Sequence, residues 1–239
     1  VKFDHVQFGY DAERPVLKNF NLEIAAGESI AIVGATASGK STVARLLLRF
    51  YDTNSGHVFL DGVDVRKLKI RELRQQIGVV FEDTVLFNDS VKSNIAFAKP
   101  DAAQADLERA AKLAGAHEFI LQLPNGYDTV IGGSGGILSG GQRQRIGLAR
   151  AIYGSPKYLV LDEPNSNLDD QGERELVEAI RRIKSEGATV IIITHRTMVL
   201  QCVDKILVMR DGAASHFGPR DQVLAALAAP QDKKPALRP

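Results

Sequence analysis

Ser29-Ile30-Ala31-Ile32-Val33-Gly34-Ala35-Thr36-Ala37-Ser38-Gly39-Lys40-Ser41-Thr42 is the stretch that decides how this chain reads. Ser29 to Val33 is a β-rich run between turn signals, and Gly39 to Phe50 follows as a helix with Val43, Leu46, Leu47 and Phe50 on one face. Between them sits G-x-x-x-x-G-K-[ST], the phosphate-binding pattern, in the strand-to-helix setting that gives it meaning. Its glycines let backbone N–H groups turn toward phosphate, and the helix start adds positive potential. Lys40 supplies a point charge for the β/γ oxygens, and the Ser41 hydroxyl is a candidate magnesium ligand.

Two later segments complete the chemistry. Leu138-Ser139-Gly140-Gly141-Gln142 opens a helix and forms a second phosphate cradle. Tyr158-Leu159-Val160-Leu161-Asp162-Glu163-Pro164 is an apolar strand ending in two carboxylates. Such a pair is costly to bury without a cation, so Asp162 reads as a magnesium partner and Glu163 as a general base for water. The competing reading is an acidic helix cap before Pro164. His195 ends the strand Thr189 to Thr194, at the kind of strand tip where ligands gather; alone, it is more often a satisfied core histidine. One nucleotide needs one cradle. Two cradles suggest that two copies close over ATP.

The remaining elements are Val1 to Phe8, Phe20 to Ile24, Val58 to Leu60, Ile77 to Phe81 and Lys205 to Met209 as strands. Asp101 to Gln122 reads as helical with Asp101 as N-cap, and Asp169 to Ser185 and Arg220 to Leu227 as further helices. Gly132 to Gly136 is a glycine-rich loop feeding the helix near Gly140. The tail from Pro230 has no apolar period and is expected to be disordered. Strands buried on both faces and alternating with helices predict a mainly parallel sheet, with Asp83 to Gly154 as a mostly helical insertion.

Composition narrows the class. The 239 residues are 44% hydrophobic, enough for a full core. Lys and Arg total 30 against 29 Asp and Glu, interspersed rather than striped, which argues against a nucleic-acid partner. Cys202 is the single cysteine and reads as a buried apolar filler. No apolar run reaches the ~18 residues of a membrane span, and the chain opens on Val1, suggesting a piece of a longer protein.

These segments, in this order, resemble the nucleotide-binding domain of the ATP-binding cassette family, exporter type, over nearly the whole chain to about Leu227. The resemblance implies an α/β P-loop NTPase (RecA-like) core, an N-terminal antiparallel β subdomain and an inserted helical subdomain. Residues 1–82 and 155–228 would form the core, 83–154 the helical part and 229–239 a tail. It implies that Gly34, Ala35, Thr36, Ala37, Ser38, Gly39, Lys40, Ser41 and Thr42 bind nucleotide, with Tyr10 stacking on adenine. Without the family, Tyr10 reads as a strand-end core residue. Leu138 to Gln142 corresponds to the signature that covers ATP on a second domain, Ser166-Asn167-Leu168-Asp169 to the D-loop and His195 to the switch histidine. ATP and Mg2+ are the implied cofactors, with Ser41, Glu82 and Asp162 on the metal and Glu163, His195, Glu82 and Lys40 in catalysis. The implied partners are a second such domain and membrane domains, at the cytoplasmic face of the membrane.

Leu86-Phe87-Asn88-Asp89-Ser90 and Arg49-Phe50-Tyr51-Asp52 carry the exporter likeness. The front half, through Ala98, resembles a drug or lipid half-transporter, and the back half, from Leu138, a type I protein secretion cassette. Three positions depart from the family pattern. Glu82 stands where a neutral glutamine is usual, and a carboxylate there could bind the metal more firmly, or repel the γ-phosphate by ~4 kcal/mol at contact range in a moderate dielectric. Gly133 replaces a common coupling glutamate, and Asn167 a small residue. Two alternatives stay open: a soluble, non-transport cassette ATPase, and a module that binds ATP with little turnover.

Overall fold

A computed structural model defines residues 1–11, 13–99, 103–132, 138–166 and 168–228. The chain runs β1 (Lys2–Phe8), β2 (Leu17–Glu23), β3 (Ser29–Gly34), α1 (Lys40–Leu47), β4 (Ser55–Leu60), β5 (Val63–Asp64), α2 (Ile70–Gln75), β6 (Ile77–Val80) and β7 (Asp89–Ser90). It continues α3 (Val91–Ile95), α4 (Gln104–Leu113), α5 (His117–Leu121), β8 (Val130–Ile131), α6 (Gly140–Ile152), β9 (Tyr158–Asp162), α7 (Asp170–Ser185), β10 (Thr189–Ile193), β11 (Lys205–Arg210), β12 (Ala213–Pro219) and α8 (Arg220–Ala228). The expected cap Asp101, Gly133 and its loop through Gly136, Asn167 and the tail from Pro230 lie outside the described residues.

The central sheet has the order β12-β11-β3-β10-β9-β6, parallel throughout except for β12. Period-2 alternation splits its side chains between two cores. Ile30, Ile32, Val160, Ile191 and Ile193 face a cluster shared with α1 and an antiparallel sheet of order β2-β1-β4-β5. Ala31, Leu159, Leu161, Val190 and Ile192 face a second cluster shared with α6, α7 and the helical segment. The expected parallel sheet with helices on its faces is therefore present. The inserted helices share one continuous apolar cluster with the sheet rather than forming a core of their own.

Several elements differ from the sequence expectation. The stretch from Asp101 to Gln122, read as helical, holds two helices. Gly115 takes a left-handed φ of 66°, and Ala116 N–H bonds Ala111 O at 2.7 Å while Gly115 N–H bonds Lys112 O at 3.1 Å, a Schellman stop. The helix expected to reach Phe50 ends at Leu47, because Arg49 takes the same conformation (φ 51°) with Phe50 N–H on Arg45 O at 2.9 Å. β12 is a strand the sequence does not predict, because Gly218 and Pro219 disguise it; as an antiparallel edge strand it tolerates both. Cys202 is buried, as expected of a filler. No helix among the described residues is long and apolar enough to cross a membrane.

Candidate nucleotide site

Parallel strands bring their C-terminal ends to one edge of the sheet, and there four loops meet. The loop after β3 is Gly34 to Gly39. A methyl group on Gly34 would lie 2.4 Å from Met209 O, and one on Gly39, whose φ is 99°, 2.8 Å from Leu17 Cδ2, so both positions require glycine. Lys40 Nζ donates to Gly34 O at 2.9 Å and Ala35 O at 2.8 Å, folding the ammonium over its own loop. Ser38 Oγ is buried without a hydrogen-bond partner, a cost that a phosphate oxygen would relieve.

Next to this loop, Ser41 Oγ donates to Asp162 Oδ1 at 3.1 Å. Asp162 is buried at the end of β9, and burial raises its pKa above the ordinary carboxylate value. The Ser41 hydrogen bond opposes that rise, while the negative charges of Glu163 and Glu82 add to it. Glu82 itself is exposed, just past the β6–β9 pairing of Val80 with Leu161. No cluster of three His, Cys, Asp or Glu able to hold a metal occurs among the described residues. One hydroxyl and one or two carboxylates beside a triphosphate is the donor set that Mg2+ suits, since it keeps waters and phosphate oxygens as its other ligands.

Glu163 adopts φ 49°, a strained region for a side chain of its kind, and its N–H bonds Ile193 O at 2.8 Å. That turn aims the carboxylate at the next strand. Glu163 Oε2 lies 2.9 Å from His195 Nδ1, yet without an aligned hydrogen bond. The Glu163 side chain is 14% exposed and that of His195 64%, so His195 is not a core histidine. Nor is Glu163 a helix cap: that role falls to Asp169, which accepts from Gly172 N–H at 2.8 Å at the start of α7.

Tyr10 is no core residue either, at 47% exposure. Its ring packs edge-on against Phe8 and Tyr51, and its hydroxyl bonds Thr42 Oγ1 at 3.1 Å and Arg45 Nη1 at 2.8 Å. The aromatic thereby sits beside the helix that follows the phosphate loop.

The second cradle lies elsewhere. Ser139 Oγ accepts from Gln142 N–H at 3.2 Å and Gln142 Oε1 accepts from Ser139 N–H at 2.9 Å, a reciprocal capping box that fixes the start of α6. Leu138 is buried and its carbonyl accepts from Arg143. Ser139, Gly140 and Gly141 open onto a cavity of about 330 Å³ shared with Leu168, Asp169 and Glu175. No residue from Gly34 to Thr42 lines it. The structure thus brings Gly34–Thr42, Asp162, Glu163, His195 and Glu82 to one sheet edge, and leaves Ser139–Gly141 with Leu168 and Asp169 at a separate opening. Ser166 N–H bonds Glu163 O at 3.2 Å, joining the two regions along the chain.

Five residues around the site were not legible from motifs: Arg45, Asn165, Glu173, Thr194 and Arg196. Glu173 had a signal. It lies on the face of α7 that carries Leu176, Val177 and Ile180, where a carboxylate is out of place unless paired.

The sequence profile of the ABC transporter family matches residues 17–166. The chain is 43% identical over 225 residues to an ATP-dependent lipid A-core flippase of Syntrophus aciditrophicus, covering 94% of this chain and 37% of that protein. It is 45% identical over 227 residues to the cyclolysin secretion/processing ATP-binding protein CyaB of Bordetella pertussis, covering 95% and 32%. The flippase and the secretion/processing protein therefore both match nearly all of this chain and about a third of their own length. A solved structure, of a bacterial Atm1-family ABC exporter with ATP bound, matches with a TM-score of 0.88 at 40% identity, over 94% of this chain and 40% of that one. The chain spans between 18% and 39% of the length of the curated relatives it matches.

Proposed function

Because this chain belongs to the ABC transporter family, we propose that it is the ATP-binding and ATP-hydrolysing motor domain of an exporter. Two copies pair head to tail around two ATP molecules, each lending Ser139, Gly140 and Gly141 to the γ-phosphate on its partner's phosphate loop. One observation carries this reading: Ser139, Gly140 and Gly141 open onto a cavity that no residue from Gly34 to Thr42 lines; on this reading a second copy is needed to bring the two cradles over one ATP. In the proposed assignment residues 1–82 and 155–228 are the catalytic core and 83–154 the helical part.

The residues divide the work as their geometry suggests. Backbone N–H groups from Gly34 to Thr42 and the Lys40 ammonium hold the phosphates, and Tyr10 offers its exposed face to adenine. Ser41, Asp162 and Glu82 would hold Mg2+, which when bound offsets phosphate charge. Glu163 accepts the proton of the attacking water, and His195, facing it at 2.9 Å, orients the carboxylate and the γ-phosphate. ATP closes the pair; the charge left by hydrolysis loosens it. Membrane domains joined to this chain, at the cytoplasmic face of the membrane, would convert that cycle into transport. Steady-state phosphate release by the chain and by Glu163→Gln tests the reading. A loss of a hundredfold or more is expected, on the usual scale for a catalytic base. Equal rates would remove Glu163 from catalysis.

A further inference from the structure

The loop between Glu163 and α7 is held by a buried polar clasp whose members belong to none of the motifs above. Asn165 and Thr194 are fully buried, and the Glu173 side chain is 6% exposed. Asn165 Nδ2 donates to Glu173 Oε1 at 2.7 Å, and Arg196 Nη1 donates to the same oxygen at 3.0 Å. Thr194 Oγ1 donates to Asn165 Oδ1 at 3.2 Å and accepts from Arg196 N–H at 3.1 Å. Arg196 Nη1 also reaches Leu168 O at 3.4 Å.

A buried carboxylate is costly unless paired, and here a single oxygen gathers an amide and a guanidinium from two different loops. The placement matters because of what stands next to each anchor. His195 lies between Thr194 and Arg196, Glu163 two residues before Asn165, and Leu168 at the mouth of the signature cavity. The His195–Glu163 approach is thus flanked on both sides by clasp residues next to them in the chain, and the same clasp reaches Leu168 through its carbonyl.

On the reading that Glu163 and His195 serve ATP hydrolysis, we propose that Glu173 is a positioning residue: with Arg196 and Asn165 it sets the distance between Glu163 and His195 and ties that distance to Leu168. It does not meet the nucleotide. Its loss therefore lowers turnover and spares binding, and its effect runs through His195.

Phosphate release and binding of a fluorescent ATP analogue, measured on the whole chain, test this with Glu173→Gln, His195→Ala and the double variant. Glu173→Gln is expected to lower kcat by roughly tenfold to a hundredfold, the scale of a catalytic group displaced by about 1 Å, with KM and analogue affinity within about twofold. The double variant is expected to match His195→Ala alone within about twofold, since the two act as one unit. Multiplying losses, or an unchanged kcat for Glu173→Gln, would overturn the proposal. Should Glu173→Gln lose its cooperative melting, Arg196→Lys replaces it. That change keeps the charge but removes the guanidinium whose Nη1 serves both Glu173 and Leu168. A matching fall in kcat at constant KM supports the clasp; wild-type kcat refutes it. A wild-type chain that releases no phosphate at all overturns the ATPase reading, and this proposal with it.

Discussion

Ser41 Oγ donates to Asp162 Oδ1 across 3.1 Å, joining the first turn of α1 to the last residue of β9. The two groups stand on elements fixed by opposite strands of the same sheet, β3 and β9, with β10 between them. Their separation is therefore set by the inter-strand spacing of the core and not by a mobile loop. A hydroxyl and a carboxylate held in this way are ready for a shared cation.

Glu163→Gln keeps the shape of the side chain and removes its basicity. With ATP present, this variant is expected to run as a dimer in size-exclusion chromatography, and as a monomer without nucleotide. A monomer at high protein and ATP concentration would rule out the head-to-tail pairing.

Lys40→Ala deletes a cation that donates to two carbonyls of its own loop, Gly34 O and Ala35 O. A hydrogen bond from a charged group is worth about 1.5–3 kcal/mol, so ATP affinity should fall by roughly tenfold to a hundredfold. Titration with a fluorescent analogue measures it; an unchanged Kd would mean the ammonium does not reach the phosphates.

Glu82→Gln removes one of the two neighbouring negative charges that raise the pKa of Asp162. ATP binding with Mg2+ is expected to stay within about twofold, while phosphate release changes by several-fold. Identical kinetics would show that the carboxylate at position 82 acts only as its amide would.

Asp64 offers a pH test far from the nucleotide. The Arg66 guanidinium, bonded at 2.7 Å, is the chief reason its pKa lies well below the ordinary 3.8, with His57 assisting. A depressed carboxylate adds stability that is complete above the unfolded value of 3.8 and is lost as pH falls below it. Asp64→Asn should cost about 2 kcal/mol at pH 7, or roughly 4–8 °C in melting temperature. The gap to wild type should narrow below about pH 4. A gap that persists undiminished into acid would assign the loss to packing instead.

The sheet could be read from the sequence because its strands are buried on both faces, so Ile30 to Val33, Tyr158 to Leu161 and Thr189 to Thr194 stand out as apolar runs. The phosphate loop was equally plain, since glycine at 34 and 39 answers a local demand. What stayed hidden depends on distant partners. The break at Gly115 follows from a local stop signal that a continuous apolar period masked. Tyr10 beside Thr42 and Arg45, and Glu173 beside Asn165 and Arg196, are pairings across loops, which no spacing along the chain announces.

The separate openings of the two glycine-rich helix starts make specific activity a property of the solution as well as of the molecule. On the proposed pairing, each reaction centre draws on two chains, so the rate in dilute solution should climb with the square of chain concentration and become linear only when association saturates. Anchoring to a lipid bilayer would replace that dilute encounter with a high effective concentration, and turnover would then respond to nucleotide supply alone.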